Sequence, residues 1–549
     1  MNNEYIWLNE LSQHFLEHDY LLPGQTVDDR VTIIADEAER ILKRPGFAAK
    51  FKSYMKKGWF SLSTPIWVNF GTKRGLPISC FGSHIDDSIA SILDAHHEIG
   101  MMTKNGGGTS GYLGKIRKRG ATIQDNGLAL GPVHFMSLYE TLIVVVSQGS
   151  TRRGQFAGYL PIDHPDINEF LELRGEGSKI QNSSLGVCVS NQWMEEMISG
   201  DVNKRTVWAK VLSSRANTGY PYIFFTDNAN NQAPDCYRDQ ALQINHSNLC
   251  TEIMLPNNED ESFVCDLSSM NILHFDRWKD TDAVEILTYF LDAVMTEFIE
   301  KASKEPYMHR AVQFAKRHRA LGIGWVGWHS YLQSKMVAFE SMEAKFLNTL
   351  VAKTMHDQAY IASARLAAEF GEPAVLKGYG RRNTTLLAIA PTKSSSFILG
   401  QLSEGIEPWR SNYIIKDLQK GKYSIRNPHL EALLESKGKN TLEVWTLILQ
   451  NSGSVSNLTF LTPEEREVFM TFSEISPKEI VIQAAQRQKY IDQGQSLNLM
   501  IHPMAPIKDV NALIIEAWRL GIKSLYYQIS VNAAQSLSRS ILACKSCEG

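Results

Sequence analysis

Asn248-Leu-Cys250-Thr-Glu252 is the segment on which the reading of this chain turns. In an extended loop alternate side chains share one face, so the amide of Asn248, the thiol of Cys250 and the carboxylate of Glu252 are expected to point together. Such a set can converge on one small molecule. A strand with one buried cysteine and two polar neighbours has the same spacing. The surroundings decide between the two.

Upstream, from Ser61 to about Leu160, short apolar segments alternate with Gly-rich loops, among them Asn105-Gly-Gly-Gly-Thr-Ser-Gly111 and Gln148-Gly-Ser-Thr-Arg-Arg-Gly154. Before that stretch, Val31, Ile34, Ala35, Ala38, Ile41 and Leu42 recur at helical spacing, and Pro45 stops the run. Downstream, helical patterns at about 281–302 and 342–370 alternate with strand-like runs at 386–390 and 524–529. This alternation predicts an α/β fold. No repeat, low-complexity segment or dividing linker interrupts the chain.

The 549 residues suffice for a large buried core, with apolar and charged shares of 43% and 21% near ordinary globular values. A formal net charge of −3 argues against a broad nucleic-acid footprint. The stretch Met1–Tyr20 has no signal-peptide core, and the longest apolar run, about Leu142–Val146, is far short of the ~20 residues of a membrane span. The expectation is a cytoplasmic protein that engages neither membrane nor nucleic acid.

Seven cysteines, an odd and sparse set, do not form a secreted disulfide framework. Cys544 and Cys547 make a C-x-x-C pair near the end of the chain. A structural zinc site needs four ligands and no second paired motif is evident, so a redox dithiol fits better and no metal site is expected. Gly322-Ile-Gly324-Trp-Val-Gly327 fits a dinucleotide fingerprint, but Lys316-Arg-His-Arg319 before it is basic and helix-like where a strand is required, which favours a packing turn. Pro391-Thr392-Lys393-Ser394-Ser395-Ser396 follows an apolar run and could cradle a phosphate or be a plain Ser-rich turn. Tyr526 and Tyr527 place two phenols side by side in an apolar segment, where packing is the commoner role.

Taken in order, Ser63-Thr-Pro65, Ser79-Cys80, Asp87-Ser88, the Gln148–Gly154 loop, Asn248-x-Cys-x-Glu252, Cys265, Leu321-Gly-Ile-Gly324, Pro391–Ser396, Gly405-Ile-Glu-Pro408, Tyr526-Tyr527 and the Cys544/Cys547 pair resemble the large, catalytic subunit of class I ribonucleotide reductases. The resemblance spans roughly residue 61 to the end. It implies a ten-stranded α/β barrel at 61–530, a helical region at 1–60 and a redox tail at 531–549. It implies thiyl-radical reduction of ribonucleoside diphosphates, with Cys250 as the radical site, Glu252 as the carboxylate that takes the 3′-hydroxyl proton and Asn248 holding the ribose. Cys80 and Cys265 would reduce the 2′ position with their thiols close across the barrel, and Cys544 and Cys547 would re-reduce them, recharged by thioredoxin or glutaredoxin. Thr64, Ser79, Thr392, Lys393, Ser394, Ser395 and Ser396 would bind substrate. Asp87, Ser88, Ile89 and Arg117 would bind a dNTP or ATP effector, and Gln148 and Arg152 would relay its identity to the substrate base. Tyr526 and Tyr527 would carry the oxidising equivalent from a metal-containing small subunit, no cofactor being held by this chain itself, and a homodimer is implied.

Some positions depart from the family pattern. Gln124 stands where an Arg often contacts effector phosphates, and Lys393 where Glu or Gly is found. Only 79 residues precede Cys80, so an ATP-cone domain is not expected. Two rivals are an adenosylcobalamin-dependent reductase and a non-catalytic dithiol binding protein.

Overall fold

Thr26 opens the longest N-terminal helix, Val27–Leu42, with a reciprocal cap: its hydroxyl accepts from the Asp29 N–H while the Asp29 carboxylate accepts from the Thr26 N–H. Val31, Ile34, Ala35, Ala38 and Leu42 form the buried stripe, as their spacing requires, and the helix ends at Lys43 in the left-handed region, φ 52°. Helices Glu10–Asp19 and Phe47–Lys56 complete this end of the molecule. The buried Arg30 guanidinium donates to the carbonyls of Ile66, Trp67 and Phe70 at 3.0, 2.5 and 2.6 Å. It thereby supports carbonyls at the C-terminal end of helix Thr64–Asn69 and its cap Phe70, and ties the helical end to the first turn of chain beyond it. The computed structural model describes residues 4–124, 126–146, 154–175, 177–418 and 421–530. Gln148, Arg152, Cys544 and Cys547 lie outside them.

The core is a curved sheet built in two halves. In the first, Cys80–Ser83, Gly108–Tyr112, Gln155–Pro161, Ser184–Val189 and Tyr222–Phe225 run parallel in that order, each beside the next. In the second, Phe263–Asn271 runs parallel to Leu321–Val326. The same direction continues through 386–390, which bridges Ile323 to Leu387, and through 494–499, which bridges Ile389 to Gln495. The fifth member is 524–530, whose Gln528–Ser530 strand pairs parallel with Leu499–Ile501. The halves meet antiparallel at both seams: Cys80–Ser83 against Phe263–Asn271, and Ser524–Leu525 against Tyr222–Phe225. Backbone bonds from Ile323 N to Leu386 O (2.7 Å), Ser496 N to Ile389 O (2.9 Å) and Tyr526 N to Leu497 O (2.9 Å) close the ring. The ten segments form an α/β barrel. Phe60–Leu62 adds a short antiparallel strand beside Phe263–Asn271.

The predicted helix at 342–370 matches Met342–Phe370, and that at 281–302 begins two residues later, at Ala283. Two expectations need correction. The strand expected at 524–529 is broken: Ser524–Leu525 faces one neighbour, Gln528–Ser530 faces another, and Tyr526 and Tyr527 occupy the switch. The Gly322–Gly327 motif is a buried strand instead of a turn. A Cβ on Gly322 would meet the Leu267 side chain at 2.4 Å, and one on Gly324 the Ala388 carbonyl at 2.7 Å. Those glycines exist for close strand packing. Helix His309–His318 precedes them, so no dinucleotide crevice is formed. Among the described residues no helix is long and apolar enough to cross a membrane.

Through the middle of this ring passes an irregular segment, about 244–257, most of it buried and all of 251–257 so. Buried irregular backbone is costly unless its polar groups are paired. Tyr159, on the Gln155–Pro161 strand, donates its hydroxyl to the Asn248 carbonyl at 2.7 Å. Tyr159→Phe removes that donor, leaves the buried carbonyl with only the long contact from the Thr251 N–H at 3.4 Å, and should lower unfolding free energy by about 0.5–1.5 kcal/mol, read by denaturant titration. A change within error would show that the loop does not depend on the barrel wall at this point.

Candidate active site

The segment 248–252 is a turn, and this corrects the extended loop expected from its spacing. Thr251 has φ 66°, and its N–H approaches the Asn248 carbonyl at 3.4 Å. The turn folds the Asn248 side chain back so that its Oδ1 accepts from the Ile253 N–H at 3.2 Å, while Ser247 Oγ donates to the Ile253 carbonyl at 2.7 Å. The Asn248 and Glu252 side chains are thus brought into hydrogen-bond contact by a local turn, with no need for strand alternation. The barrel wall completes the set. Ser496 Oγ lies 2.6 Å from the Cys250 carbonyl and 3.1 Å from Glu252 Oε2, and Ser524 Oγ donates to the Thr251 carbonyl at 2.7 Å.

Asn248 Nδ2 reaches 3.5 Å from Cys80 Sγ. Cys80 and Cys265 are direct register partners on neighbouring antiparallel strands. Partners in such a pair carry their side chains on the same face of the sheet with Cβ atoms about 4.5–5.5 Å apart, so the two thiols are neighbours across the seam. Both are free thiols here, as is Cys250. Burial pushes the Cys265 thiol far above its ordinary range, although Gln493 Nε2 donates to its sulfur at 3.3 Å. At neutral pH Cys265 is thus a neutral S–H, suited to give up hydrogen and poorly suited to act as a thiolate.

Glu252 is buried, and burial raises its pKa from 4.5 to about 7, against the opposing hydrogen bonds from its own backbone, Asn248 and Ser496. A carboxyl poised near neutrality can both take and return a proton. On the other side of Cys250, the Tyr526 hydroxyl points at Cys250 Sγ at 3.6 Å. The Tyr526 and Tyr527 rings lie 4.2 Å apart between centroids.

The remaining predicted residues fall into two groups. Thr64 opens helix Thr64–Asn69, and its hydroxyl meets Tyr20 OH at 3.0 Å. Ser79 is nearly buried, 3.8 Å from Cys80 Sγ. Thr392 adopts the left-handed region at φ 54° and precedes the short helix Lys393–Ile398, which holds Ser394, Ser395 and Ser396 in its first turns. The Thr392 hydroxyl accepts from the Gly405 N–H at 2.7 Å. Helix Glu10–Asp19 packs on this segment through Ser12 Oγ and the Phe397 carbonyl at 3.2 Å. Asp87, Ser88, Ile89 and Arg117 lie together beyond the far end of strand Cys80–Ser83. Arg117 Nε bonds Asp87 at 2.7 Å, Ser88 caps helix Ile89–Lys104, and Ile89 is 60% exposed.

Sequence reasoning missed Gln493 and Ser496, which touch Cys265, Glu252 and the Cys250 backbone, and it gave no role to Glu407 within the Gly405–Pro408 motif. Glu407 is buried, its pKa raised by that burial, and it accepts from Asn498 Nδ2; Asn498 Oδ1 in turn accepts from the Tyr527 N–H at 3.0 Å. In sequence Gln493-Gly-Gln-Ser496-Leu-Asn498 is only a polar run, and its burial as part of the barrel wall appears in the structure alone.

Comparison with known proteins bears on this arrangement. A family model described as the ribonucleotide reductase barrel domain matches residues 78–202, 196–378 and 374–528, and one described as the ribonucleotide reductase all-alpha domain matches 6–75. The chain belongs to the ribonucleotide reductase large-subunit family. It is 35% identical over 504 residues to the putative ribonucleoside-diphosphate reductase large subunit of Frog virus 3 (isolate Goorha), covering 88% of each chain. The zebrafish (Danio rerio) large subunit is 28% identical, with 96% of this chain and 77% of that one covered. A solved structure, the Actinobacillus ureae class Id ribonucleotide reductase alpha subunit, superposes with a TM-score of 0.92 at 54% identity, covering 99% of this chain and 100% of that one. The reductase reading and the barrel with an N-terminal helical region are therefore established, and the cobalamin and binding-protein alternatives gain no support.

The raised pKa of Glu252 has a measurable sign in this reductase. Between pH 4.5 and about 7 the folded chain keeps a proton that the unfolded chain releases. The stabilisation is complete below 4.5 and is lost as pH rises through 7. Glu252→Gln does not titrate, so its melting temperature relative to wild type should climb across that window. A flat difference in a thermal-melt series from pH 4.5 to 8 would contradict the burial assigned to this carboxyl.

Proposed function

We propose that this chain reduces ribonucleoside diphosphates at the 2′ carbon, with Cys250 as the residue that becomes a thiyl radical and abstracts the 3′ hydrogen. The observation that carries the reading is the contact between the Tyr526 hydroxyl and Cys250 Sγ, 3.6 Å apart, at the centre of a closed barrel. A Tyr526 phenoxyl can take the hydrogen atom of the Cys250 S–H across that contact, leaving a phenol and a thiyl. Glu252 accepts the 3′-hydroxyl proton and Asn248 orients the ribose. Cys80 and Cys265 supply two hydrogens and close to a disulfide, and Cys544 and Cys547 reopen it at the expense of thioredoxin or glutaredoxin. A separate metal-containing small subunit supplies the oxidising equivalent to Tyr527 and Tyr526. The water-poor interior suits a radical that must be shielded from side reactions.

Substrate phosphates fit the helix starts at Thr64 and Thr392–Ser396, with Lys393 as a counter-charge and Ser79 near the ribose. Asp87, Ser88, Ile89 and Arg117 take the base and ribose of a dNTP or ATP effector, and Gln148 and Arg152 pass its identity to the substrate. A homodimer is supported by an apolar surface beside these residues. Helices Ile89–Lys104 and Gly131–Val146 pack on each other and expose Ile89, Leu93, Leu138, Val144 and Val145.

Two variants test the reading. Cys250→Ser should fold and bind effector yet lose turnover by several orders of magnitude, because a serine hydroxyl is far harder to oxidise. Tyr526→Phe should do the same while losing only a hydrogen bond worth about 0.5–1.5 kcal/mol of stability. Wild-type protein should be inactive without a small subunit, whatever adenosylcobalamin is added. Full deoxynucleotide formation by either variant, or robust cobalamin-supported turnover, would overturn the assignment.

A further inference from the structure

The tyrosine pair has company that the proposed reaction does not use. Tyr220 follows Gly219, which ends helix Val202–Thr218 in the left-handed region at φ 83°. A Cβ on Gly219 would meet the Gln528 carbonyl at 3.2 Å and the Tyr527 ring at 3.6 Å, so the absence of a side chain lets this corner approach the switch in the barrel wall. The Thr218 hydroxyl accepts from the Tyr220 N–H at 3.1 Å and fixes where the residue leaves the helix. The Tyr220 ring then stands edge-on to that of Tyr527, centroids 5.1 Å apart, and the two hydroxyls meet at 3.1 Å. Tyr220 is only 8% exposed, and the Arg174 guanidinium, anchored on the Ser183 carbonyl at 2.7 Å, lies over its ring at 4.3 Å.

The hydroxyls are ordered. Tyr222 OH donates to Ser184 Oγ at 3.2 Å, and Ser184 Oγ donates to Tyr220 OH at 3.5 Å. With its oxygen already accepting, Tyr220 has its own proton available for Tyr527. A packing cluster would need only the rings, and phenylalanine would serve. Here a run of hydroxyls ends on the Tyr527 oxygen, the atom that becomes a radical if the proposed tyrosine relay is correct, and this inference rests on that relay.

We propose that Tyr220 is a third redox-active phenol of the chain, exchanging a hydrogen atom with Tyr527 along their shared hydrogen bond. In the exchange a Tyr527 phenoxyl takes the O–H hydrogen of Tyr220, proton and electron together. Tyr527 ends as a phenol and Tyr220 as the phenoxyl, and the reverse step restores both. No charge is created, as suits a site with little water. The oxidising equivalent is the one delivered by the metal-containing small subunit, so no further oxidant is consumed. Tyr220 thus lets the hole rest on either of two phenols before it moves through Tyr526 to Cys250.

The test replaces Tyr220 by 3-aminotyrosine, a nearly isosteric and more easily oxidised phenol, in the full chain with its small subunit, a diphosphate substrate and effector. Electron paramagnetic resonance should show an aminotyrosyl radical that requires all these components. Tyr220→Phe should keep its melting temperature within a few degrees and lose about tenfold or more in turnover. The same aminotyrosine placed at 527 is the control. A radical at 527 with none at 220 overturns this proposal and leaves the relay standing. No radical at either position, with the metal radical of the small subunit intact, removes the relay and this proposal with it. A slowed Tyr220→Phe variant with no trapped radical at 220 would make Tyr220 a positioning residue for Tyr527, and unchanged turnover would remove it from the route; each result overturns the redox assignment.

Discussion

An irregular peptide segment buried at the centre of a protein has no regular ladder of its own to take its carbonyls and amides, and each one left unpaired costs about 1–3 kcal/mol. Here every carbonyl from Cys250 to Ile253, and that of Asn248, has a named partner. Tyr159 serves 248, Ser496 serves 250, Ser524 serves 251, the Gly494 N–H serves 252 and Ser247 serves 253. Four of those five donors come from barrel strands or their extensions. The loop is therefore positioned by the wall, and the wall can close around it only because short hydroxyl side chains and one glycine leave room for it. Gly494 is the tightest case, since a Cβ there would meet the Met254 side chain at 2.5 Å.

The same burial sets the chemical character of the interior. Desolvation moves Cys265, Glu252, Tyr159 and Tyr222 in one direction, toward keeping their protons. An interior of neutral S–H, O–H and COOH groups favours transfers in which an electron and a proton travel together, because neither partner then leaves a charge behind. Glu252 is the exception in degree, since its shift stops near neutrality. It is the one member of the set that can change charge within the working pH range.

Much of this was legible in advance, for physical reasons that can be stated. Met342–Phe370 was readable because local periodicity sets a helix. Asn248, Cys250 and Glu252 stood out only through the resemblance carried by the whole ordered set of motifs, because their spacing by itself fits a packed strand as well. The turn at Thr251 was not readable, because a positive φ on threonine carries no composition signal; it persists through the pairing supplied by residues some 90 to 270 positions away in sequence. The register that sets Cys80 opposite Cys265 is equally non-local. Ser496 and Gln493 read as ordinary polar residues until the strand that bears them is seen to be buried. The break between Leu525 and Gln528 was hidden for a different reason: two half-strands with different partners have the same apolar pattern as one whole strand.

That break has a consequence for how such a protein can change over time. Tyr526 and Tyr527 sit where the chain exchanges one neighbour for another, with the Tyr526 N–H held by the Leu497 carbonyl and the Tyr527 N–H by Asn498. Insertions and deletions, the ordinary currency of divergence in surface loops, would open the ring here. Drift at this seam is confined to swaps of side chain on a fixed backbone. If the proposed relay runs through these two phenols, it can be retuned one functional group at a time, while its course through space is inherited whole.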